Sequence, residues 1–418
     1  MTAVPESKAA PAREGAPAGA PKAVAPAGTA NAPAGARRRP HIVAFDMIRL
    51  IIMAFVVGVH TLAFGGGTVT VTLGAVTTVF HTSRELFFLL TTLVLVYNYG
   101  HRQNVNWLKF WRRRYYLMLP AYIAWSAIFF LANGDFLHES AGGAIVSFGH
   151  DLLDAGAEYH LYFLLVTMQV YAVFPLIRLL LRKTEGHHAL LFALAAAYQL
   201  LLSAALQYRA DLHLHGVAGT IVGGYLSSAA SGSFIHSYVL YILGGAIIGW
   251  HFEDICVFTR RHASAVTVTA VALTGAVVGL GAYFAQIYAG GASPAAASAV
   301  FQPVVVVEAL CFGWALLAGG LLWSDRGAPG QKFFAAGSAS SFGIYLSHPL
   351  VLKYVLSLAS VSGLLAAVRG AWPGLELLAL LGLFVPVVYA CAWLIASGAR
   401  RTPLSLALTG REFARSKG

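Results

Sequence analysis

Charge is scarce in this sequence. Only 11% of its 418 residues are Asp, Glu, Lys or Arg, where soluble domains carry about 25%. That shortage excludes an ordinary soluble enzyme or binding domain. The 58% apolar content and mean hydropathy of +0.70 place the chain in the membrane class. Negative charge is the rarer sign, 17 acidic against 28 basic residues, for a net charge of +11. A soluble protein so basic would suggest nucleic acid. Here the basic residues fall between apolar spans, where they set topology and meet anionic lipid headgroups, so the expected partner is the bilayer and no nucleic acid. Cysteine is nearly missing too. Cys256, Cys311 and Cys391 are far apart and lie in or beside spans. They form no metal pattern and no disulfide framework, which leaves burial as their expected role and no metal site.

The first 36 or so residues lack aromatic side chains and any continuous apolar run. Such an Ala/Pro/Gly-rich segment cannot bury enough surface to fold, and it has no signal-peptide core. Residues 1–40 are therefore expected to be a disordered cytoplasmic tail, closed by Arg37, Arg38 and Arg39 before the first span.

Ten apolar spans follow, at roughly 43–64, 75–99, 115–132, 159–181, 188–206, 234–252, 264–288, 300–323, 334–357 and 375–398. Charge tests that count independently. Connections expected to be cytoplasmic hold His101, Arg102, Lys109, Arg112–Arg114, Arg182, Lys183, Arg260, Arg261, Arg326 and Lys332. Those expected outside hold Arg209 and Arg369 with acidic or small residues, including Asp135, Glu139, Asp151, Asp154 and Glu158 in one loop. An even number of spans with both termini inside satisfies the positive-inside rule at every turn. The expected architecture is an all-α polytopic membrane protein of about ten helices. It comprises a transmembrane domain over 41–400 and a basic cytoplasmic tail over 401–418. No soluble domain is expected after the last span, and neither an internal repeat nor a small-xxx-small stripe for a dimer face stands out. The loops Ala132–Glu158 and Gln207–Ser233 are long and glycine-rich, and the second is polar enough to dip back or cover a site.

Against this background three charged or polar residues in the first span stand out: Asp46, Arg49 and His60. A charge at the centre of a span costs at least ~2.5–3.5 kcal/mol, so such groups usually face a polar cavity. Eleven helical steps turn through roughly 1100°, which puts Arg49 and His60 on nearly the same face about 16 Å apart. A snorkelling anchor accounts for a lone Arg, and a packed bundle residue for a lone His. The shared face favours a common site. In the second span His81 and Glu85 share a face, and Glu85 lies where it can reach His60, orient the ring and make it a better general base. The alternative for Glu85 is local compensation of Arg84. Arg112–Arg114 at the start of the third span read first as topology anchors. With Arg49 at the same membrane surface, they also make a cationic mouth for a phosphorylated cytosolic ligand. His160, Tyr345, His348 and Glu308 are further polar intrusions and pocket candidates. Each alone reads as a packed residue; together they argue for a shared polar cavity.

These stretches resemble the integral-membrane acyltransferase family 3. FDMIRLIIMAFVVGVH has that family's Arg-x10-His arrangement at Arg49 and His60. RELFFLLTTLVL is similar to its acidic residue followed by Phe-Phe, and FWRRRYYLMLPAYIAW to its arginine-rich third stretch with Pro120 and Tyr122. SFGIYLSHPLVL is similar to Gly-x-Tyr-Leu-x-His-Pro, and EYHLYFLL to a His-Leu-aromatic-Phe-Leu segment. The chain departs from the pattern at Thr91 and Thr92, where Ser-Gly is common, and at Leu117, where many members repeat an arginine. The C-terminal hydrolase-like domain of some relatives is not present in this sequence.

The resemblance implies transfer of an acyl group, usually acetyl, from cytosolic acyl-CoA to a hydroxyl of a carbohydrate-containing acceptor. No bound cofactor is implied; acyl-CoA is a co-substrate. Arg49, Arg113 and Arg114 would meet its phosphates. His60, oriented by Glu85, would act as general base or carry the acyl group briefly. The site expected is in a plasma or inner membrane. Two other classes compete. A proton-coupled exporter of polysaccharide or glycolipid would use an intramembrane His with a carboxylate, and a receptor or assembly subunit would explain the intramembrane charges poorly.

Overall fold

The computed structural model describes residues 39–208, 216–371 and 374–413. The expected N-terminal tail up to Arg38, and Arg209, Arg415 and Lys417, lie outside the described residues.

Helices account for the whole architecture, with no strand among the described residues. α1 (Ala44–Gly65) and α2 (Val71–Tyr99) are followed by α3 (Trp107–Asn133), α4 (Ala141–Asp154) and α5 (Tyr162–Lys183). Next come α6 (His188–Tyr208), α7 (Gly216–Ala230), α8 (Val239–Trp250), α9 (Phe252–His262) and α10 (Ala265–Tyr288). The chain continues through the short α11 (Pro294–Ala297) to α12 (Pro303–Asp325), α13 (Gln331–Val361) and α14 (Leu364–Ala371). α15 (Leu375–Ala379) runs through one π turn, Leu380–Phe384, into α16 (Val385–Ala399), and α17 (Ser405–Thr409) ends the described chain. Among the described residues, nine helical stretches are long and apolar enough to cross a membrane, and the count is ten if a bent pair is one span. The protein is an all-α, multi-pass membrane protein.

The bent pair falls where a single sixth span, 234–252, is expected. α8 alone has 12 residues, too few to span at 1.5 Å each, and a 67° bend joins the segment Ile235–Trp250 to Gly219–Ala230. The described part of the second glycine-rich loop is thus helical. α8 packs against α2 backbone to backbone. A Cβ at Gly245 would meet Leu89 O at 2.1 Å, and one at Gly249 would meet Leu93 O at 2.5 Å. Gly245 and Gly249 are a small-xxx-small pair spent inside the bundle. Gly275 and Gly279 of α10 instead make room for the side chains of Cys311 and Glu308 on α12.

Two helices use prolines to release backbone acceptors. Pro175 in α5 has no N–H for the carbonyl of Tyr171, which accepts the Trp111 indole N–H at 2.8 Å instead. Pro349 does the equivalent in α13. α3 is capped by Asn106, whose side-chain oxygen accepts from Lys109 N at 2.8 Å, so Arg112–Arg114 lie inside the helix rather than before it. Residues 401–413, expected within a basic tail, instead include α17. That helix packs on α3 and α13, with the Trp125 indole donating to Leu408 O at 3.1 Å. α1 is the hub, in contact with α2, α12, α13 and α16. Cys256 is buried, and Cys311 and Cys391 are half-buried, all three as free thiols.

Candidate active site

His60 lies on the last turns of α1, and its ring meets side chains from two other parts of the chain. Tyr159 is 4.6 Å away between ring centroids and His348 is 5.3 Å away, with the two imidazole planes 27° apart. His160 is 5.5 Å from His348, and Tyr345 is 5.2 Å from His160 and 5.8 Å from His348. Tyr159 and His160 sit in the turn that opens α5, where Leu161 N bonds to Glu158 O at 3.0 Å. Tyr345 and His348 are one turn apart on α13, and the Tyr345 hydroxyl donates to the His160 carbonyl. His160 and His348 are buried, and His60 is half-buried. Four polar atoms in this cluster have no hydrogen-bond partner among the described residues: the Tyr159 hydroxyl, both ring nitrogens of His160 and Nε2 of His348. Buried polar groups are normally bonded, so this concentration of unmet donors and acceptors marks a place built for a polar guest.

Beyond Tyr345 the bundle opens into a cavity of about 1340 Å³. Its inner end is walled by Met53, Phe87, Phe163 and Tyr345; its mouth carries Arg49, Arg113, Arg114, Arg400, Arg401 and Arg411. Arg49 donates to Ser338 Oγ at 3.0 Å, and Arg400 donates to Ser340 Oγ at 3.2 Å. Both serines come from α13, which carries Tyr345 and His348 further along. Arg114 lies over the rings of Tyr99, Phe110 and Tyr171, which hold its guanidinium at the mouth. Partial desolvation in the mouth, and then the guanidiniums of Arg400 and Arg49, hold Arg411 below the usual arginine range. Glu412 is the one acidic residue lining this cavity among the described residues, so it is strongly cationic. Forked guanidiniums in excess suit a phosphorylated ligand.

A family model described as an acyltransferase domain matches residues 42–396. The chain belongs to the acyltransferase 3 family. No curated protein and no solved structure matches it. Membership makes this chain a membrane acyltransferase; the match covers nearly all of the bundle and the cavity lining through Trp393, with Ser397, Arg400, Arg401 and Arg411 beyond its end.

Within that family frame, the residues singled out in the sequence divide into two groups. His60, His160, Tyr345 and His348 come together, and Arg49, Arg113 and Arg114 share the cavity mouth. Glu85 does not contact His60. Its Oε1 is bound by Arg84 Nε and Nη2 at 3.0 and 2.6 Å, so local charge compensation wins over orientation of the imidazole. Glu308 is fully buried between α10 and α12 with neither oxygen bonded, and it does not line the cavity. Asp46 bonds His41 Nε2 at 2.7 Å, one turn beyond Arg49 on α1. Sequence reading missed Arg400, Arg401 and Arg411 as cavity residues, since a basic run after a last span reads as a topology signal. It also missed Tyr159, which carries no charge to draw attention. No cluster suited to a metal ion occurs among the described residues.

Proposed function

We propose that this acyltransferase moves an acyl group, most simply acetyl, from cytosolic acyl-CoA to a hydroxyl of a carbohydrate-containing acceptor. The acceptor is an envelope glycan, a lipid-linked sugar or a glycosylated metabolite. One observation carries the reading: a single cavity runs from six arginines to Tyr345, whose ring adjoins the histidine cluster containing His60. The arginines hold the phosphates of the donor, and its thioester arm points inward along Met53, Phe87 and Phe163. His60 takes the proton of the acceptor hydroxyl as that oxygen attacks the thioester carbonyl; the C–S bond breaks and the thiolate leaves through the cavity. On this reading the arginine mouth and both termini face the cytoplasm, the side that the positive-inside rule favours, in a plasma or inner membrane.

The test is consumption of labelled acetyl-CoA by inverted membrane vesicles carrying the full chain, with label recovered in an ester. Vesicles without the protein should give none. The buried carboxyl group of Glu308, neither of whose oxygens is bonded among the described residues, favours a second reading, a proton-coupled exporter of polysaccharide or glycolipid. In that case export proceeds while acetyl-CoA is not consumed.

A further inference from the structure

We propose that His348 is the positioning residue for His60. The inference rests on the acyl-transfer reading above and begins from a proline. In an unbroken helix the N–H of residue 349 would bond to the carbonyl of Tyr345, and Pro349 has no N–H. The carbonyl so released accepts a hydrogen bond from His348 Nδ1 at 2.7 Å. A carbonyl oxygen only accepts, so Nδ1 carries the ring proton and Nε2 of the neutral ring holds a lone pair. His348 is 0% exposed, and its Nε2 has no partner. A buried acceptor left unmet is costly, so the fold holds this lone pair ready for a donor.

The ring nearest to His348 is that of His60, at 5.3 Å and with planes 27° apart. A bonded pair elsewhere in the molecule sets the scale. His188 and His251 have centroids 4.9 Å apart and share a hydrogen bond of 2.7 Å. The His60–His348 centroids are 0.4 Å farther apart and their planes lie at 27° rather than 68°, so the bond forms when the His60 ring rotates as substrate enters. His160 is the other nearby ring, 5.5 Å from His348 and so 0.2 Å farther than His60.

With its lone pair fixed, His348 Nε2 accepts one N–H of His60 and leaves the opposite nitrogen of His60 bare toward the acceptor hydroxyl. When His60 takes the hydroxyl proton, the new imidazolium charge is shared through the bond to His348. The O–H bond breaks, the ester C–O bond forms, and the C–S bond breaks. The thiolate then recovers the proton from His60, so His348 ends each turnover as it began. The arrangement follows the logic of a base oriented by a third group, with a neutral acceptor where soluble enzymes use a carboxylate. A neutral partner suits a bilayer interior, where a permanent charge is expensive. Glu85, the carboxylate expected from the sequence to orient His60, is already bound to Arg84.

The experiment measures [14C]acetyl transfer in inverted vesicles holding equal amounts of full-length variants, matched by size-exclusion profile. His348→Phe keeps the ring and its packing but has no lone pair; His348→Gln offers a carboxamide oxygen. The expected result is a fall of about 100-fold in Vmax for His348→Phe at unchanged KM for acetyl-CoA, the range of general acid–base effects. His348→Gln should be at least about tenfold more active than His348→Phe, and His348→Phe should cost nothing further in a His60→Ala background. Phe equal to wild type, Gln no better than Phe, or additive losses in the double variant would each overturn the proposal. Wild-type transfer by His60→Ala alone would instead remove the reading on which it rests.

Discussion

Arg84 binds Glu85 through two hydrogen bonds to the same carboxylate oxygen, 3.0 and 2.6 Å long, while the second oxygen of Glu85 has no partner. The guanidinium also lies 4.9 Å from the ring of Tyr238 and 4.5 Å from that of Phe301. The pair sits inside the bundle, where each charge is tolerable only because of the other. Removing one partner should therefore be worse than removing both. Glu85→Ala should destabilise the protein by about 3–5 kcal/mol, with the double variant Arg84→Met, Glu85→Leu recovering most of that loss. Thermal unfolding in detergent measures both. A stable Glu85→Ala variant that had lost only catalysis would return Glu85 to the acid–base machinery.

Glu308 and Gly279 make a second relationship that mutation can read. A Cβ at position 279 would lie 1.7 Å from Glu308 Oε1 and 2.3 Å from its Cδ. Gly279→Ala must push the carboxyl group aside in a close-packed interface, which should cost about 1–3 kcal/mol. Adding Glu308→Ala should restore stability to near the level of Glu308→Ala alone, because the clash is with that side chain. Full additivity in unfolding temperature would show that the two do not touch.

The arginine mouth predicts a binding phenotype. Arg49→Gln and Arg400→Gln should each raise KM for acetyl-CoA about tenfold, the equivalent of ~1.4 kcal/mol, with smaller effects on kcat. The pair Arg113→Gln with Arg114→Gln should do the same. Raising the salt concentration should increase KM in wild type and less so in the variants, because screening acts on charges that remain. A loss of inserted protein with KM unchanged would make these arginines topology signals and nothing more.

How much of this was legible in the sequence follows from where each signal resides. Span number and hand of charge depend on composition averaged over about 20 residues, and that average survives any detail of packing. Helix periodicity likewise put Arg49 and His60 on one face of α1, where the structure has Arg49 lining the cavity and His60 joining the histidine cluster. The partner of His60 was not legible. Glu85 lay within reach on the antiparallel neighbour, but a carboxylate beside an arginine on the same helix satisfies it first. His348 comes from 288 residues away, and only the fold brings it in. The broken α7–α8 pair was hidden because the glycines of α7 read as loop, and a Cβ at Gly223 or Gly224 would meet nothing within 4 Å; the glycines that approach α2, Gly245 and Gly249, lie inside the expected span itself. Residues 401–413 read as a tail because the few apolar residues that seat α17 are too short a run to register.

His60→Ala is the most direct test of the central claim. Envelope glycans and secreted metabolites from cells carrying wild type or His60→Ala would be compared by mass spectrometry, with equal protein in the membrane. The account predicts a species heavier by one acyl unit in the wild type and absent from the variant, a loss of at least about 10²–10⁴ in transfer. The same acylated species at wild-type abundance in His60→Ala cells would contradict it.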